Sequence, residues 1–177
     1  MEILRSIHSA STSAQKRFLI IGGHALNVHG IVRATGDIDL MVEARDAAFW
    51  SELLERLGYE IFHQSSAFMQ SKSKELTGWP IDLMLVDTET MDKISNDSTT
   101  TEVFGPPLPV ASVASLIAMK LHALKFVDAV RALKDQSDLL ALLELSGMTV
   151  HSEAFRQLCA RYGTIETYER LAAITKS

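Results

Sequence analysis

Two short apolar stretches of this chain carry carboxylates in their midst. One is Asp37-Ile38-Asp39-Leu40-Met41-Val42, and the other is Pro80-Ile81-Asp82-Leu83-Met84. Burying an unpaired charge is expensive. A chain that sets three acids in such company has few folds open to it. Either the acids converge where a divalent cation neutralises them, or the stretches are loops or a structural Ca²⁺ site.

The chain has 177 residues, 47% of them hydrophobic, enough for one domain with a real core or one domain plus a small helical appendage. No apolar run of roughly 18 residues is free of charge, so no membrane span is expected. Residues 1–16 are too polar for a secretory leader. Cys159 is the single cysteine, which excludes a disulfide framework within one chain and points to a reducing cytoplasm. A net charge of −5 gives no global pull on nucleic acid. Lys120, Lys125, Arg131 and Lys134, with Arg156 and Arg161 beyond, read as solvated helix faces before they read as a nucleic-acid footprint.

Residues 2–15 suit a helix that frays through Ser9–Ser13. Arg17–Ile21 is a short apolar run stopped by Gly22-Gly23, and reads as a buried strand. A short helix over 24–29, a strand over 37–43 and a helix over 45–57 follow. Strands are expected at 59–63, 67–70 and 81–86. Phe104-Gly105-Pro106-Pro107-Leu108-Pro109 reads as a turn or linker, because three prolines do not suit a regular element. Beyond it only helices are expected, at 112–126, 129–146, 152–162 and 165–174. The pattern predicts an α/β (α+β) core over residues 1–104 and a helical C-terminal subdomain over 105–177, packed on the core.

Residues i and i+2 of a strand share a face, so Asp37 and Asp39 converge while Ile38 and Leu40 turn away. Two hard oxygen donors suit Mg²⁺, with Mn²⁺ as the alternative. Asp82 from a neighbouring strand adds a second-metal ligand or a general base. Gly22 and Gly23 let backbone approach a phosphate. Arg33 and Thr35, just before the acids, are candidate phosphate contacts. His24 follows the glycine turn and fits a helix start better than a phosphate contact. Lys120 lies in an apolar helix, where a snorkelling role competes with a functional one. Asp135 and Asp138 are site candidates that could equally pair with lysines on their own helix.

Taken together, strand, Gly22-Gly23, helix, Arg33-Ala34-Thr35-Gly36-Asp37-Ile38-Asp39 and a later Asp82 resemble the nucleotidyltransferase superfamily related to DNA polymerase β. The Arg-x-Thr-x-Asp-x-Asp form is similar to the AbiEii-type branch, which includes toxins of toxin–antitoxin systems. Leu116–Leu124 around Lys120, and Arg131–Leu140 around Lys134-Asp135, resemble that branch's helical part. The resemblance covers about residues 17–145. It implies a mixed sheet flanked by helices. It implies transfer of a nucleoside monophosphate from a nucleoside triphosphate to a hydroxyl, with release of pyrophosphate. The acceptor would be a tRNA, a protein or a small molecule, and an antitoxin would be a partner. Asp37, Asp39 and Asp82 would serve metal and catalysis. Gly22, Gly23, Arg33, Thr35, Lys120 and Asp135 would serve the nucleotide. Many relatives carry Ser after the first glycine; Gly23 stands there instead. The alternative is a non-catalytic nucleotide-binding or regulatory module of the same fold.

Overall fold

The computed structural model describes residues 2–126 and 129–175. The chain divides into two compact units, residues 1–112 and 113–177. The first unit begins with α1 (Glu2–Ser13), β1 (Phe18–Ile20), α2 (Gly22–Val28) and β2 (Ile38–Glu43). A 3₁₀ turn (Ala44–Asp46) leads into α3 (Ala47–Arg56). Then come β3 (Tyr59–Gln64), β4 (Phe68–Ser73), β5 (Ile81–Val86), α4 (Thr88–Asn96), β6 (Thr99–Thr101) and β7 (Leu108–Val110). The second unit holds α5 (Val113–Ala123), α6 (Ala129–Ser146), α7 (Glu153–Tyr162) and α8 (Ile165–Ile174).

All seven strands join one mixed sheet in the order β3-β4-β5-β2-β1-β7-β6. This is the mixed α/β architecture expected from the sequence. The central strands β2 and β5 run parallel, with Asp39 opposite Asp82 and Leu40 opposite Leu83. β1 pairs antiparallel with β2, and β4 antiparallel with β5. Ile38, Leu40, Ile81 and Leu83 are wholly buried. Helix α3 turns Trp50, Leu53 and Leu54 inward, the i, i+3, i+4 spacing of one helix face. Trp50 meets the edge of Phe18 at 6.1 Å, which ties α3 to β1.

The proline segment departs from expectation. Leu108–Val110 is a strand, paired with β6 and, through Val110, with β1. Pro109 is tolerated because the bond toward β1 comes from Ala111, whose N–H donates to the Ile20 carbonyl at 3.0 Å. Leu108 and Val110 are wholly buried on either side of it. The sheet therefore takes in residues beyond 104, and the division between units falls after Ser112. Helix α4 and strand β6 also had no counterpart in the sequence pattern. Ser9–Ser13, expected to fray, stays helical, with Ser13 Oγ donating back to the Ser9 carbonyl at 2.9 Å.

Glu43 closes β2 and is only 2% exposed, yet carries a charge. Arg17 reaches it at 2.8 Å and Arg45 at 2.9 Å, and the Thr88 hydroxyl donates to it at 2.8 Å. Burial pushes its carboxyl up, but Thr88, Arg17 and Arg45 outweigh that and hold it below the ordinary value.

In the second unit α5, α6, α7 and α8 pack around Leu116, Leu121, Leu139, Leu142, Phe155 and Leu171. Ser152 and Thr164 cap α7 and α8 through their hydroxyls. Gln136, turned so that its amide oxygen faces Arg170, accepts from that guanidinium at 3.0 and 3.1 Å, joining α6 to α8. Lys120 Nζ donates to Asp135 Oδ1 and to Asp138 Oδ2, both at 2.6 Å, joining α5 to α6. The three side chains are 14%, 8% and 7% exposed. Among the described residues no helix is long and apolar enough to cross a membrane.

Two measurements check these ion clusters. A carboxyl lowered on folding contributes stability in full above its unfolded value of about 4.5, and loses it as pH falls through the folded value. Glu43→Gln should therefore lower stability at pH 7 by about 2 kcal/mol. The gap to wild type in urea melts should narrow near pH 4; an unchanged gap would sink the assignment. Lys120→Met leaves two buried carboxylates facing each other and should cost about 3 kcal/mol. Adding Asp135→Asn and Asp138→Asn should recover part of that loss in the same melts, and a triple variant no more stable than the single one would contradict a buried ion cluster.

Candidate active site

The glycine turn and the acids meet at one end of the central strands. Gly22 has φ +61°, a backbone state that favours glycine. A Cβ built on it would stand 2.0 Å from Asp39 Oδ2. Gly22 is therefore fixed twice, by its dihedral and by the carboxylate beside it. The Ile21 N–H donates to the Asp39 carbonyl at 3.0 Å, so backbone as well as side chain ties the turn to β2.

Gly23 makes a second close approach. A Cβ there would stand 2.5 Å from Thr35 Oγ1. The room that a serine would need at position 23 is taken by the Thr35 hydroxyl, which accounts for the Gly-Gly form of the turn. Thr35 Oγ1 donates to Asp37 Oδ1 at 2.8 Å. The loop between α2 and β2 is held by Asn27, which clamps Arg33 through both backbone groups. Its amide donates to the Arg33 carbonyl at 3.0 Å and its oxygen accepts the Arg33 N–H at 2.8 Å. The Ile31 N–H donates to the Leu26 carbonyl at 3.0 Å.

Asp82 faces the same side of the sheet as Asp39, because the two are register partners on parallel strands. Gln70, opposite Asp82 on β4, donates its amide to Asp82 Oδ2 at 2.9 Å. The Ile38 N–H donates to the Pro80 carbonyl at 2.9 Å, linking the approach to β5 with the start of β2. Asp37, Asp39 and Asp82 are all partly exposed. Among the described residues no three His, Cys, Asp or Glu side chains are gathered as a metal site.

His24 follows the turn and is 5% exposed. Its ring stacks on Trp79 at 5.1 Å and meets Phe104 edge-on at 5.5 Å. Burial lowers its pKa below the ordinary value, with the charge of Asp37 pulling the other way. Its Nε2 is buried with no hydrogen-bond partner among the described residues.

Seven of the nine site residues expected from sequence thus belong to the first unit: Gly22, Gly23, Arg33, Thr35, Asp37, Asp39 and Asp82. Lys120 and Asp135 belong to the second, where they bond to one another and to Asp138. Lys120 is too buried to be snorkelling. Both aspartates pair with Lys120, a lysine on α5. Lys125, Arg131, Lys134, Arg156 and Arg161 are exposed, as solvated faces are. Asn27, Gln70, Trp79 and Phe104 were not singled out from sequence. Gln70 needed the β4–β5 register, which the residue pattern alone does not give.

Comparison with known proteins bears on the fold and the family. No curated protein sequence matches the chain. Among solved structures, the lincosamide antibiotic adenylyltransferase LnuA, lincomycin-bound, superposes with a TM-score of 0.57 at 19% identity, over 80% of this chain and 95% of that one. ANT(2")-Ia in complex with adenylyl-2"-tobramycin gives 0.56 at 17% identity, over 98% and 94%. An antigenic nucleotidyltransferase-like protein from Paracoccidioides brasiliensis gives 0.57 at 16% identity, over 95% and 88%. At such identities the likeness shows the fold alone. The family model described as nucleotidyl transferase AbiEii toxin, Type IV TA system, matches residues 8–176. With nearly its whole length so matched, this chain belongs to the AbiEii family and is a nucleotidyltransferase.

Proposed function

We propose that the chain moves a nucleoside monophosphate from a nucleoside triphosphate to a hydroxyl acceptor in a metal-dependent reaction, at the site formed by Gly22, Gly23, Thr35, Asp37, Asp39 and Asp82. The observation that carries this reading is the close approach of Gly22 to Asp39, whose carboxylate is in register with Asp82. It brings a turn that admits phosphate to hard oxygen donors.

The donor set fits a small divalent cation. Asp37 and Asp39 offer two carboxylates two residues apart, and Mg²⁺ or Mn²⁺ accepts one or two such ligands with water and phosphate completing the shell. Asp37 and Asp39 would hold the ion, with Asp82 as a further ligand or as the base. Such an ion supplies charge neutralisation at the phosphates and a lower pKa for a bound hydroxyl. The chain's own residues do the rest. Gly22 and Gly23 receive the β- and γ-phosphates against backbone N–H groups, and Arg33 pairs with phosphate charge. The Thr35 hydroxyl takes the place of the serine that many relatives carry at the second glycine. Asp82, steadied by Gln70, accepts the acceptor's proton. The acceptor oxygen bonds to the α-phosphorus, the bond from that phosphorus to the bridging oxygen breaks, and pyrophosphate leaves with the electron pair. Positioning and charge neutralisation carry most of such a reaction.

The acceptor is an RNA such as tRNA, a protein or a small molecule. The family's description supports a toxin role, with an antitoxin as partner, as part of the same proposal. We place the reaction in the cytoplasm.

The test is incubation with Mg²⁺ and each of four α-labelled triphosphates, together with total tRNA and total cell protein. Label should enter one fraction and be absent with Asp37→Ala/Asp39→Ala. Nucleotide binding without any transfer, including to small hydroxyl compounds, would favour the non-catalytic reading instead. Gly22→Ala should cost at least 1 kcal/mol from the positive φ alone and abolish labelling, because the methyl group would displace Asp39. Full labelling by Gly22→Ala would refute the close approach on which the reading rests.

A further inference from the structure

We propose that Trp79 is a stacking platform for a nucleobase, with His24 and Phe104 as the aromatic support behind it. The inference rests on the nucleotidyl-transfer reading of the neighbouring acids and adds a base-binding subsite to it.

The aromatic cluster is assembled from three separate parts of the first unit. His24 comes from α2, Trp79 from the loop before β5, and Phe104 from the loop between β6 and β7. His24 lies one residue beyond the glycine turn, whose Gly23 closes on Thr35, itself bonded to Asp37. Trp79 lies three residues before Asp82 in the chain.

Trp79 is also held where it is. Gly78 comes so near Ser73 that a Cβ would stand 2.1 Å from the Ser73 hydroxyl. The Gly78 N–H donates to the Glu75 carbonyl at 3.2 Å, and the Lys74 N–H to the Gly58 carbonyl at 2.9 Å. Pro80 restricts the residue before it to extended backbone. The Pro80 carbonyl is bonded to Ile38, next to Asp37. A loop tied this closely does not leave a large ring in water by accident. Trp79 nevertheless remains 39% exposed while stacked on His24, whereas Trp50 is wholly buried.

The chemistry of the ligand follows from the surroundings. An indole stacked on His24 and 39% exposed offers its flat surface to another flat ring. Base–aromatic stacking tolerates any base, because every base has a π-face. The glycine turn beside His24 admits phosphate, so the ring that arrives is one joined to phosphate. That describes a nucleobase. It could belong to the incoming triphosphate or to the terminal nucleotide of an acceptor, and the experiment separates the two.

Wild type, Trp79→Phe and Trp79→Ala are titrated in Mg²⁺ with ATP, CTP, GTP and UTP. Inorganic tripolyphosphate is the base-free probe, and a single-stranded RNA hexamer is the acceptor-like one. Tryptophan emission and calorimetry read binding without turnover. At least one triphosphate or the hexamer should quench wild-type emission, while tripolyphosphate binds without quenching. Trp79→Phe should lose the quench yet bind within about threefold of wild type, and Trp79→Ala should bind about tenfold more weakly. Tripolyphosphate affinity should stay the same in all three. A loss confined to the triphosphates assigns the base to the donor, and a loss confined to the hexamer assigns it to the acceptor. Should Trp79→Ala not fold, Trp79→Leu serves the same comparison. Unaltered affinity of the alanine or leucine variant for triphosphates and hexamer alike overturns the platform while leaving the phosphate site standing. Failure of wild type to bind either tripolyphosphate or any triphosphate overturns the phosphate site, and the platform with it.

Discussion

The parallel pairing of β2 with β5 is the constraint on which the site depends. It sets Asp39 beside Asp82 on one face of the sheet, with strands about 4.8 Å apart. Like charges opposite each other on neighbouring strands are destabilising. The fold accepts that cost at one point and surrounds it with order. Buried Ile38, Leu40, Ile81 and Leu83 fix the other face. Gln70 steadies Asp82, Thr35 steadies Asp37, and the Gly22 backbone closes against Asp39. The acids are polar groups in an apolar strand because the sheet around them allows only one placement.

The two units treat buried acids alike in one respect. Glu43 is held by two arginines and a threonine hydroxyl, and Asp135 and Asp138 by Lys120. In each case a cation from a different element neutralises the carboxylate, so the ion pair also joins two pieces of chain. Such clusters add less stability than their short distances suggest, because each charge has left water. Removing one member is another matter, since the remaining charge stays buried. Asp135 Oδ2 illustrates the tension: it is buried with no hydrogen-bond partner among the described residues, although Oδ1 is well bonded.

Much of this was legible in the residues. The apolar run before Gly22-Gly23, the alternation around Asp37 and Asp39, and the helical spacing after position 112 all report burial periodicity, which is local. The positions of β1, β2, β5 and the last four helices follow from it. What escaped is non-local. Leu108–Val110 became a strand because β1 and β6 needed a neighbour, which outweighed Pro109. The stack of His24 on Trp79 joins residues far apart in the chain, and no spacing rule connects them. Thr35 against Gly23 belongs to the same class: the residues were each noticed, but only the folded loop shows that one occupies the space of the other's missing side chain.

Glu43 has one more consequence. A strand that slips by one residue turns its buried side chains outward, and the hydrophobic pattern forbids it. A slip of two residues preserves the faces, and in β2 it would exchange one aliphatic residue for another with little penalty. It would also carry Asp39 away from Asp82. Glu43 blocks that slip. Arg17 stands just before β1, and Thr88 just after β5, and both are bonded to the same carboxylate. The far end of β2 is thereby pinned to each of its neighbours at once. The alignment of the acids at one end of the strand is set by a charge at the other.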